Sequence, residues 1–191
     1  MTRVPNYHRD LGSATPGEIF FDPSHPLPQF WAGRGRWKPG HAMHTFVDDY
    51  RQEFFWRRPA EGLICALAST VCTAPDYTCW TDDPAEFRAY QAWRSATIAA
   101  YWQRSGVSVL PVVQFSTGFE RYVSSGSAWA VRGSLEPGWQ PRLVDFVRTS
   151  GCAFLLVFGR PVPPIDGLQM RNVPLYSGKG LAAQKEVPHG R

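Results

Sequence analysis

Three aspartates stand at the ends of two apolar segments that are typical of strands. Asp48 and Asp49 follow residues 42–47, and Asp76 follows residues 70–74. In a sheet of alternating strands and helices, ligands bind beyond the carboxyl ends of the strands, so these side chains are expected at one rim. Carboxylates there could act catalytically by holding Mg²⁺ or Mn²⁺, which organise phosphate chemistry. The alternative is structural: Asp76 would cap a turn and Asp49 the helix after it.

Polar and basic side chains follow the later strands in the same way. Arg132 and Arg160 each come after a predicted strand, and Gln114 and Thr78 stand beside strand ends. Arginine grips phosphate oxygens bidentately, so a rim with both carboxylates and guanidinium groups suits a metal together with a phosphate. Two solvated surface arginines are the alternative, because long basic side chains are rarely buried.

Arg94 lies in the middle of an aromatic stripe. A period of 3.6 residues places it on one helix face with Tyr90 and Tyr101. A guanidinium group on such a face must pair with an anion, because a buried unpaired charge is strongly destabilising. We expect Asp76 or Asp48 to be the partner, either in a structural ion pair or in a ligand site. The predicted ligand-binding residues are Asp76, Thr78, Arg94, Gln114, Arg132 and Arg160.

A basic loop near the start of the chain is a candidate nucleic-acid contact. Three cations and an indole fall close together: Arg34, Arg36, Trp37 and Lys38. Backbone phosphates and a stacked base could use these groups, although short basic loops also serve as solvated linkers. The net charge of +4 and the pI near 9.0 permit a phosphate-bearing partner without requiring one.

Alternating strands and helices are needed to position these residues. Strands are predicted at 42–47, 70–74, 107–115, 127–131 and 152–158. Helices are predicted at 59–68, 83–105 and 141–150. Pro111 indicates an edge, a bulge or a strand end within the third strand, because proline cannot donate to a sheet. The order predicts one α/β domain with four to five mostly parallel strands, as an open sheet or a partial barrel.

The long helix carries signals at both ends. Asp83 precedes Pro84 and is expected to cap the helix, with Glu86 three residues after the cap. Gly106 is expected to end this helix in the left-handed conformation, and Gly151 to end the last one.

Proline and glycine divide the chain into three parts. Residues 1–40 are predicted to form an irregular arm, residues 41–175 the α/β core, and residues 176–191 a flexible tail. Eight Trp and twelve Phe are expected to dominate the core. No segment is typical of a secretory signal or a membrane span. The cysteines lack C-x-x-C spacing, which favours the cytoplasm: Cys65, Cys72, Cys79 and Cys152.

Several short motifs follow one another in a characteristic order along the core. They are Asp48-Asp49-Tyr50-Arg51, Trp56, Pro59, Pro75-Asp76-Tyr77-Thr78, Arg94, Trp102-Gln103, Gly106, Val109-Leu110-Pro111 and Phe158-Gly159-Arg160-Pro161. Over residues 42–175 this order resembles DUF4417, a domain of unknown function. The resemblance implies an origin in phages, prophages, plasmids or other mobile elements, and it implies no established activity.

Three functions are compatible with these observations. The first is a phage-type or mobile-element protein that binds a phosphate-bearing ligand, either a nucleotide or nucleic acid, at the carboxyl rim of the sheet. The second is a metal-dependent phosphodiester hydrolase that uses Asp48, Asp49 and Asp76. The third is a module that blocks a host protein through a Trp-rich surface.

Overall fold

The described part of the chain alternates short parallel strands with helices. The structure is a computed structural model, and it describes residues 30–32, 41–80, 82–115 and 128–175. The strands are β1 (Phe30–Ala32), β2 (Ala42–His44), β3 (Cys72–Thr73), β4 (Val109–Leu110), β5 (Ala128–Gly133), β6 (Phe154–Gly159) and β7 (Gln169–Val173). The helices are α1 (Asp49–Arg57), α2 (Pro59–Leu67), α3 (Ala85–Arg104) and α4 (Trp139–Ser150).

The strands lie side by side in chain order. One parallel sheet contains β1 to β4, and a second contains β5 to β7. A parallel bridge between Val112 and Ala130 joins the two sheets. In it, the Val113 N–H donates to the Ala130 carbonyl and the Ala130 N–H donates to the Pro111 carbonyl, each at 2.8 Å. The carboxyl ends of neighbouring strands therefore meet at one rim.

The sheet curves until its early and late strands face each other. The ring of Phe158 in β6 lies 5.9 Å from His44 and 4.7 Å from Phe46, measured between centroids. One core cluster accordingly includes residues from five strands: Met43, Cys72, Val109, Ala130 and Phe158. Among the described strands, β1 and β7 do not pair with each other, so the curved sheet stays open.

Helix α4 covers the outer face of the second sheet. Leu143 and Val147 pack there in a cluster with Leu155 and Val157 of β6. The alternate residues of β6, such as Leu156, belong to the inner cluster. A parallel strand buried on both faces needs the continuous apolar run that this segment has.

The predicted α/β class and parallel sheet are confirmed. The five predicted strands correspond to β2 to β6, and the three predicted helices to α2, α3 and α4. Pro111 marks a strand end, since β4 stops at Leu110. Gly106 and Gly151 are left-handed, with φ of 86° and 72°. The strands β1 and β7 were not predicted, because β1 lies in the segment interpreted as irregular and β7 lacks an apolar alternation.

The predicted capping role of Asp83 is wrong. Pro84 occupies the N-cap position of α3, and no side chain caps the helix. The Asp83 carboxylate instead accepts a hydrogen bond from the Trp80 N–H at 2.7 Å, closing the turn before the helix. The helix begins one residue later than the sequence pattern indicates.

Candidate functional site: an arginine-lined cleft

Side chains hold the backbone of the loop after β3, residues 75–78. The Ser95 hydroxyl of α3 donates to the Pro75 carbonyl at 2.6 Å. The fully buried Gln52 of α1 donates to the Asp76 carbonyl and accepts from the Asp76 N–H at 3.0 Å. Because no strand ladder reaches this loop, these amide and hydroxyl groups satisfy its polar backbone instead.

The second half of the loop is held in the same way. Gln114 donates from Nε2 to the Tyr77 carbonyl at 3.3 Å. The Asp49 carboxylate accepts from the Thr78 N–H at 3.1 Å and from its hydroxyl at 3.0 Å. Gln91 donates to the Thr78 carbonyl at 3.5 Å. The loop is therefore fixed from α1, from α3 and from the segment after β4.

Asp49 does not cap the helix that follows β2. It is the first residue of α1, and the N-cap position belongs to Asp48, which makes no capping hydrogen bond. The capping role expected for Asp49 is wrong because its carboxylate reaches across to Thr78. Asp48 itself is exposed.

Arg94 is buried beside the loop, and its carboxylate partner is Glu53. The expectation that Asp76 or Asp48 pairs with Arg94 is wrong, since Nη2 donates to Glu53 on α1. Nη1 donates to Gln91 at 2.9 Å. Three aromatic rings surround the guanidinium carbon: Tyr77 at 3.9 Å, Trp56 at 5.2 Å and Tyr90 at 5.6 Å. Arg94 therefore holds the loop through its cation–π contact with Tyr77, and the ion pair with Glu53 links it to α1.

The sequence contained a signal for the partner that was missed. Asp49, Gln52 and Glu53 are spaced three and four residues apart, so they share one face of α1. All three contact the 75–78 loop or Arg94. Polar residues along one face of a short helix that follows a strand predict that this face contacts polar groups of a neighbouring loop.

A cleft of about 220 Å³ opens at the carboxyl ends of β3, β4 and β5. Its wall contains arginines from three elements, Arg88 of α3, Arg132 of β5 and Arg142 of α4. The other lining residues are Asp76, Tyr77, Thr78, Cys79, Trp80, Val113, Gln114, Phe115, Val131, Ser134, Glu136 and Trp139. Three guanidinium groups against two carboxyl groups give the cleft an excess of positive charge.

Arg88 and Arg142 were not among the predicted site residues. Each is the fourth residue of its helix, and its N–H bonds the carbonyl of the N-cap residue, at 3.1 Å to Pro84 and at 3.4 Å to Gly138. A cation in the first helical turn opposes the helix dipole. An arginine in the first turn of two predicted helices is therefore the sequence signal from which both residues could have been predicted.

The three arginines differ in their pairing. Arg142 forms an ion pair with Glu136 at 2.9 Å, and its guanidinium carbon lies 5.2 Å from the Phe115 ring centroid. Within the described ranges, Arg88 and Arg132 form no ion pair, and the buried Nε of Arg88 has no hydrogen-bond partner. Two guanidinium groups of the cleft are thus available to an anion.

Burial changes the titration of the groups in and near the cleft. Burial raises the pKa of Asp76 to about 7, Arg132 and Gln114 oppose that rise, and Asp49 adds to it. Burial, with the charge of Arg132, lowers the pKa of His44 to about 4, so this histidine is neutral at pH 7. Burial and nearby carboxylates raise the pKa of Cys79 to about 12, which makes it a poor nucleophile.

The three candidate metal-binding aspartates do not come together. Asp48 is exposed, Asp49 binds Thr78, and Asp76 lines the cleft. Across the part of the chain that the structure describes, no group of three or more His, Cys, Asp or Glu side chains could hold a metal ion.

The predicted ligand-binding residues divide into two sets. Asp76, Thr78, Gln114 and Arg132 line the cleft. Arg94 is buried beside it, and the exposed Arg160 does not line it. The basic loop lies outside the described residues: Arg34, Arg36, Trp37 and Lys38. Among the described helices, none combines the length and apolar composition that crossing a membrane requires.

Comparison with known proteins tests the proposed family resemblance. Residues 34–126 match the family model described as Domain of unknown function (DUF4417). The resemblance to DUF4417 is confirmed over these residues, whereas the predicted extent to residue 175 is not matched. The DUF4417 match includes α1, α2, α3 and the clamped 75–78 loop, together with Arg88 and Gln114. Arg132 and Arg142 lie beyond it.

Two curated relatives are phage proteins. The Gene 1 protein of Mycobacterium phage D29 is 37% identical over 78 residues, which are 41% of this chain and 29% of the relative. The Gene 1 protein of Mycobacterium phage L5 is 35% identical over 80 residues, which are 42% of this chain and 35% of the relative. The chain therefore spans about a third of the length of these relatives. No solved structure matches it.

Proposed function

We propose that this protein binds a phosphate-bearing ligand, a nucleotide or nucleic acid, in the arginine-lined cleft. The observation that carries the proposal is the convergence of Arg88, Arg132 and Arg142 from three separate elements. Guanidinium groups match phosphate oxygens in bidentate geometry, and they keep their charge at any physiological pH. Two of these three groups form no ion pair within the described ranges, so a ligand anion completes their pairing.

The two helices beside the cleft support an anionic ligand. Arg88 and Arg142 both lie in the first turn of their helices, where free N–H groups already create positive potential. Positive side chains added to a positive helix end are mutually unfavourable without an anion between them. A bound phosphate removes that repulsion.

An exposed aromatic ring supports a nucleotide rather than phosphate alone. Trp80 lies on the wall of the cleft and is 67% exposed. An indole face offers a stacking surface to any base, which contributes about 1–3 kcal/mol in single-strand binding proteins. A nucleotide would place its phosphate against the arginines and its base against Trp80, and so contact both groups of lining residues.

The described residues give the two alternative functions less support. The candidate carboxylates Asp48, Asp49 and Asp76 form no metal-binding group, so the described residues offer the hydrolase no metal centre. A host-blocking interface was expected to be rich in Trp, yet among the tryptophans of residues 41–80, 82–115 and 128–175 the exposed one is Trp80. The others in those three ranges are buried or half-buried: Trp56, Trp93, Trp102, Trp129 and Trp139.

Binding measurements on two matched arginine variants test the proposal. A labelled, 5′-phosphorylated single-stranded oligonucleotide is titrated with protein across a salt series. Arg132→Ala should weaken binding by about 10-fold or more, because a charge-assisted hydrogen bond contributes about 1.5–3 kcal/mol. It should also lower the salt slope by about one unit.

Arg160→Ala is the control, because Arg160 is also an exposed arginine after a strand but does not line the cleft. Its binding should stay within about twofold of the unmodified protein. Equal losses in the two variants would mean that general surface charge attracts the ligand. Absence of binding at low salt would contradict the proposal directly.

A further inference from the structure

We infer that the cleft selects ribonucleotides over deoxyribonucleotides, because Asp76 and Gln114 form an acceptor pair for sugar hydroxyl groups beside the phosphate. This inference rests on the proposed function and names its ligand class more closely. It starts from a buried acceptor that has no donor among the described residues.

The carbonyl oxygen of Gln114 is the unsatisfied acceptor. Gln114 is 6% exposed, lines the cleft, and has no partner for Oε1 among the residues that the structure describes. Almost all buried polar atoms in proteins are hydrogen-bonded, because leaving one unpaired costs about 1–3 kcal/mol. A ligand that donates a hydrogen bond would satisfy this atom.

The orientation of the Gln114 amide is fixed by its neighbour. Nε2 donates to the Tyr77 carbonyl at 3.3 Å. Turning the amide over would place Oε1 against that carbonyl oxygen, where two acceptors repel. The oxygen of Gln114 is therefore the atom left for a ligand, and the ligand group that meets it must be a donor.

The carboxyl group of Asp76, once it is ionised above its pKa of about 7, is a second acceptor near the first. The Asp76 backbone is held by Gln52, so its side chain is positioned independently of any ligand. The charge of Arg132 and a hydrogen bond with the Gln114 side chain both act to lower the pKa of Asp76, so both groups lie beside its carboxyl. Two acceptors and one guanidinium group thus share one part of the cleft.

This combination fits a sugar phosphate better than a base edge. In a nucleoside 5′-monophosphate, the phosphate and the base are attached to the sugar at C5′ and C1′, and the 2′- and 3′-hydroxyl groups lie on the ring edge between them. Acceptors beside a phosphate-binding arginine therefore meet the sugar, and the base is left for Trp80 on the wall. A carboxylate that accepts from the ribose 2′-hydroxyl is a common device in nucleotide sites. The same hydroxyl distinguishes RNA from DNA in protein complexes.

The small size of the cleft favours a ligand of one nucleotide unit. Its volume of about 220 Å³ lies below the range of about 300–1,000 Å³ that is usual for small-molecule pockets. The unit could be a free ribonucleotide or the 5′-phosphorylated end of an RNA strand. Both present the same phosphate and the same hydroxyl groups, and the test distinguishes them.

The test compares dissociation constants of matched ligands by calorimetry. The ligands are the four ribonucleoside 5′-monophosphates, their 2′-deoxy counterparts, the nucleosides without phosphate, and 5′-phosphorylated RNA and DNA octamers. We expect the ribonucleotides to bind about 10-fold more tightly than the deoxyribonucleotides, with the same ratio for each base. Tighter binding of the RNA octamer than of the free nucleotide would identify a strand end as the source; the reverse would identify the free nucleotide.

Variants of the acceptor pair show whether these residues cause the selection. Gln114→Met keeps the length of the side chain and removes the acceptor together with the hydrogen bond to the Tyr77 carbonyl. It should reduce the ribo-to-deoxy ratio to about one. Asp76→Asn, which keeps the size and removes the charge, should reduce the same ratio if Gln114→Met does not fold. Arg160→Ala should leave the ratio unchanged.

The outcomes separate the inference from the proposed function. Equal binding of ribonucleotides and deoxyribonucleotides, with both dependent on Arg132, would overturn the inference and leave the proposed function in place. A preference that follows the base and ignores the 2′-hydroxyl would also overturn it. Binding of nucleosides as tight as that of nucleotides would overturn the proposed function itself, because the phosphate would then contribute nothing.

Discussion

At the scale of single residues, Arg94 shows that the contribution of an ion pair to stability depends on burial. Its side chain is 8% exposed and pairs with Glu53, whereas Arg57 pairs with the same carboxylate at 3.4 Å while 75% exposed. Arg94→Ala should therefore lower the free energy of unfolding by about 3 kcal/mol or more, since the half-buried Glu53 loses its partner and the buried Gln91 and Tyr77 lose their contact with the cation. Urea denaturation measures this loss.

The shared carboxylate provides a matched control for that prediction. Arg57→Ala breaks an exposed pair with Glu53 and should cost less than about 1 kcal/mol. Equal losses for the two variants, or a loss below about 0.5 kcal/mol for Arg94→Ala, would contradict the role assigned to Arg94.

Asp76 should make the stability of the protein depend on pH. Its pKa is raised to about 7 in the fold, above the unfolded value of about 3.9, so the folded state binds the extra proton between these values. Its stabilising contribution is complete below about pH 4 and is lost as the pH rises through about 7. The slope is at most about 1.4 kcal/mol per pH unit, and it should be smaller because Asp76 is partly exposed.

Comparison with Asp76→Asn isolates that contribution. Unfolding free energies of the two proteins are measured from pH 4 to pH 8. The variant should gain stability relative to the unmodified protein as the pH rises, because it has no carboxyl group to ionise. A constant difference across the series would mean that Asp76 titrates normally in the fold.

At the scale of elements, helix α1 acts as a clamp on the loop that carries Asp76. Gln52→Ala would leave the Asp76 N–H and carbonyl without their side-chain partner and should cost about 2–3 kcal/mol. Hydrogen exchange at the amide of Asp76 should accelerate in the same variant. Gln140→Ala, on the exposed face of α4, is the control and should change stability by less than about 0.5 kcal/mol. Unchanged exchange at Asp76 would show that α1 does not hold the loop.

The elements were more predictable than their contacts. Helix α3 and the strand β6 were recognisable because their signals are local: proline and glycine at the helix ends, and one continuous apolar run. Glu53 was not recognised as the partner of Arg94, because it comes from another element 41 residues earlier in the chain. The burial of Arg94 followed from its helix face alone.

At the scale of the whole molecule, the cleft depends on how the sheet curves. The sequence placed Asp76, Gln114 and Arg132 at strand ends, and the parallel strand order brings them to one rim. It could not show that α3 and α4 begin beside that rim and so contribute Arg88 and Arg142. Nor could it show that Arg160, one strand further along, lies outside the cleft. Those outcomes depend on tertiary packing.

The central claim is that the arginine-lined cleft holds a phosphate group, and a crystal structure with a ribonucleoside 5′-monophosphate tests it most directly. We predict the phosphate in contact with at least two of Arg88, Arg132 and Arg142, at the distance of about 2.7–2.9 Å usual for charged hydrogen bonds. A nucleotide bound elsewhere on the protein, with no phosphate near these three guanidinium groups, would contradict the claim.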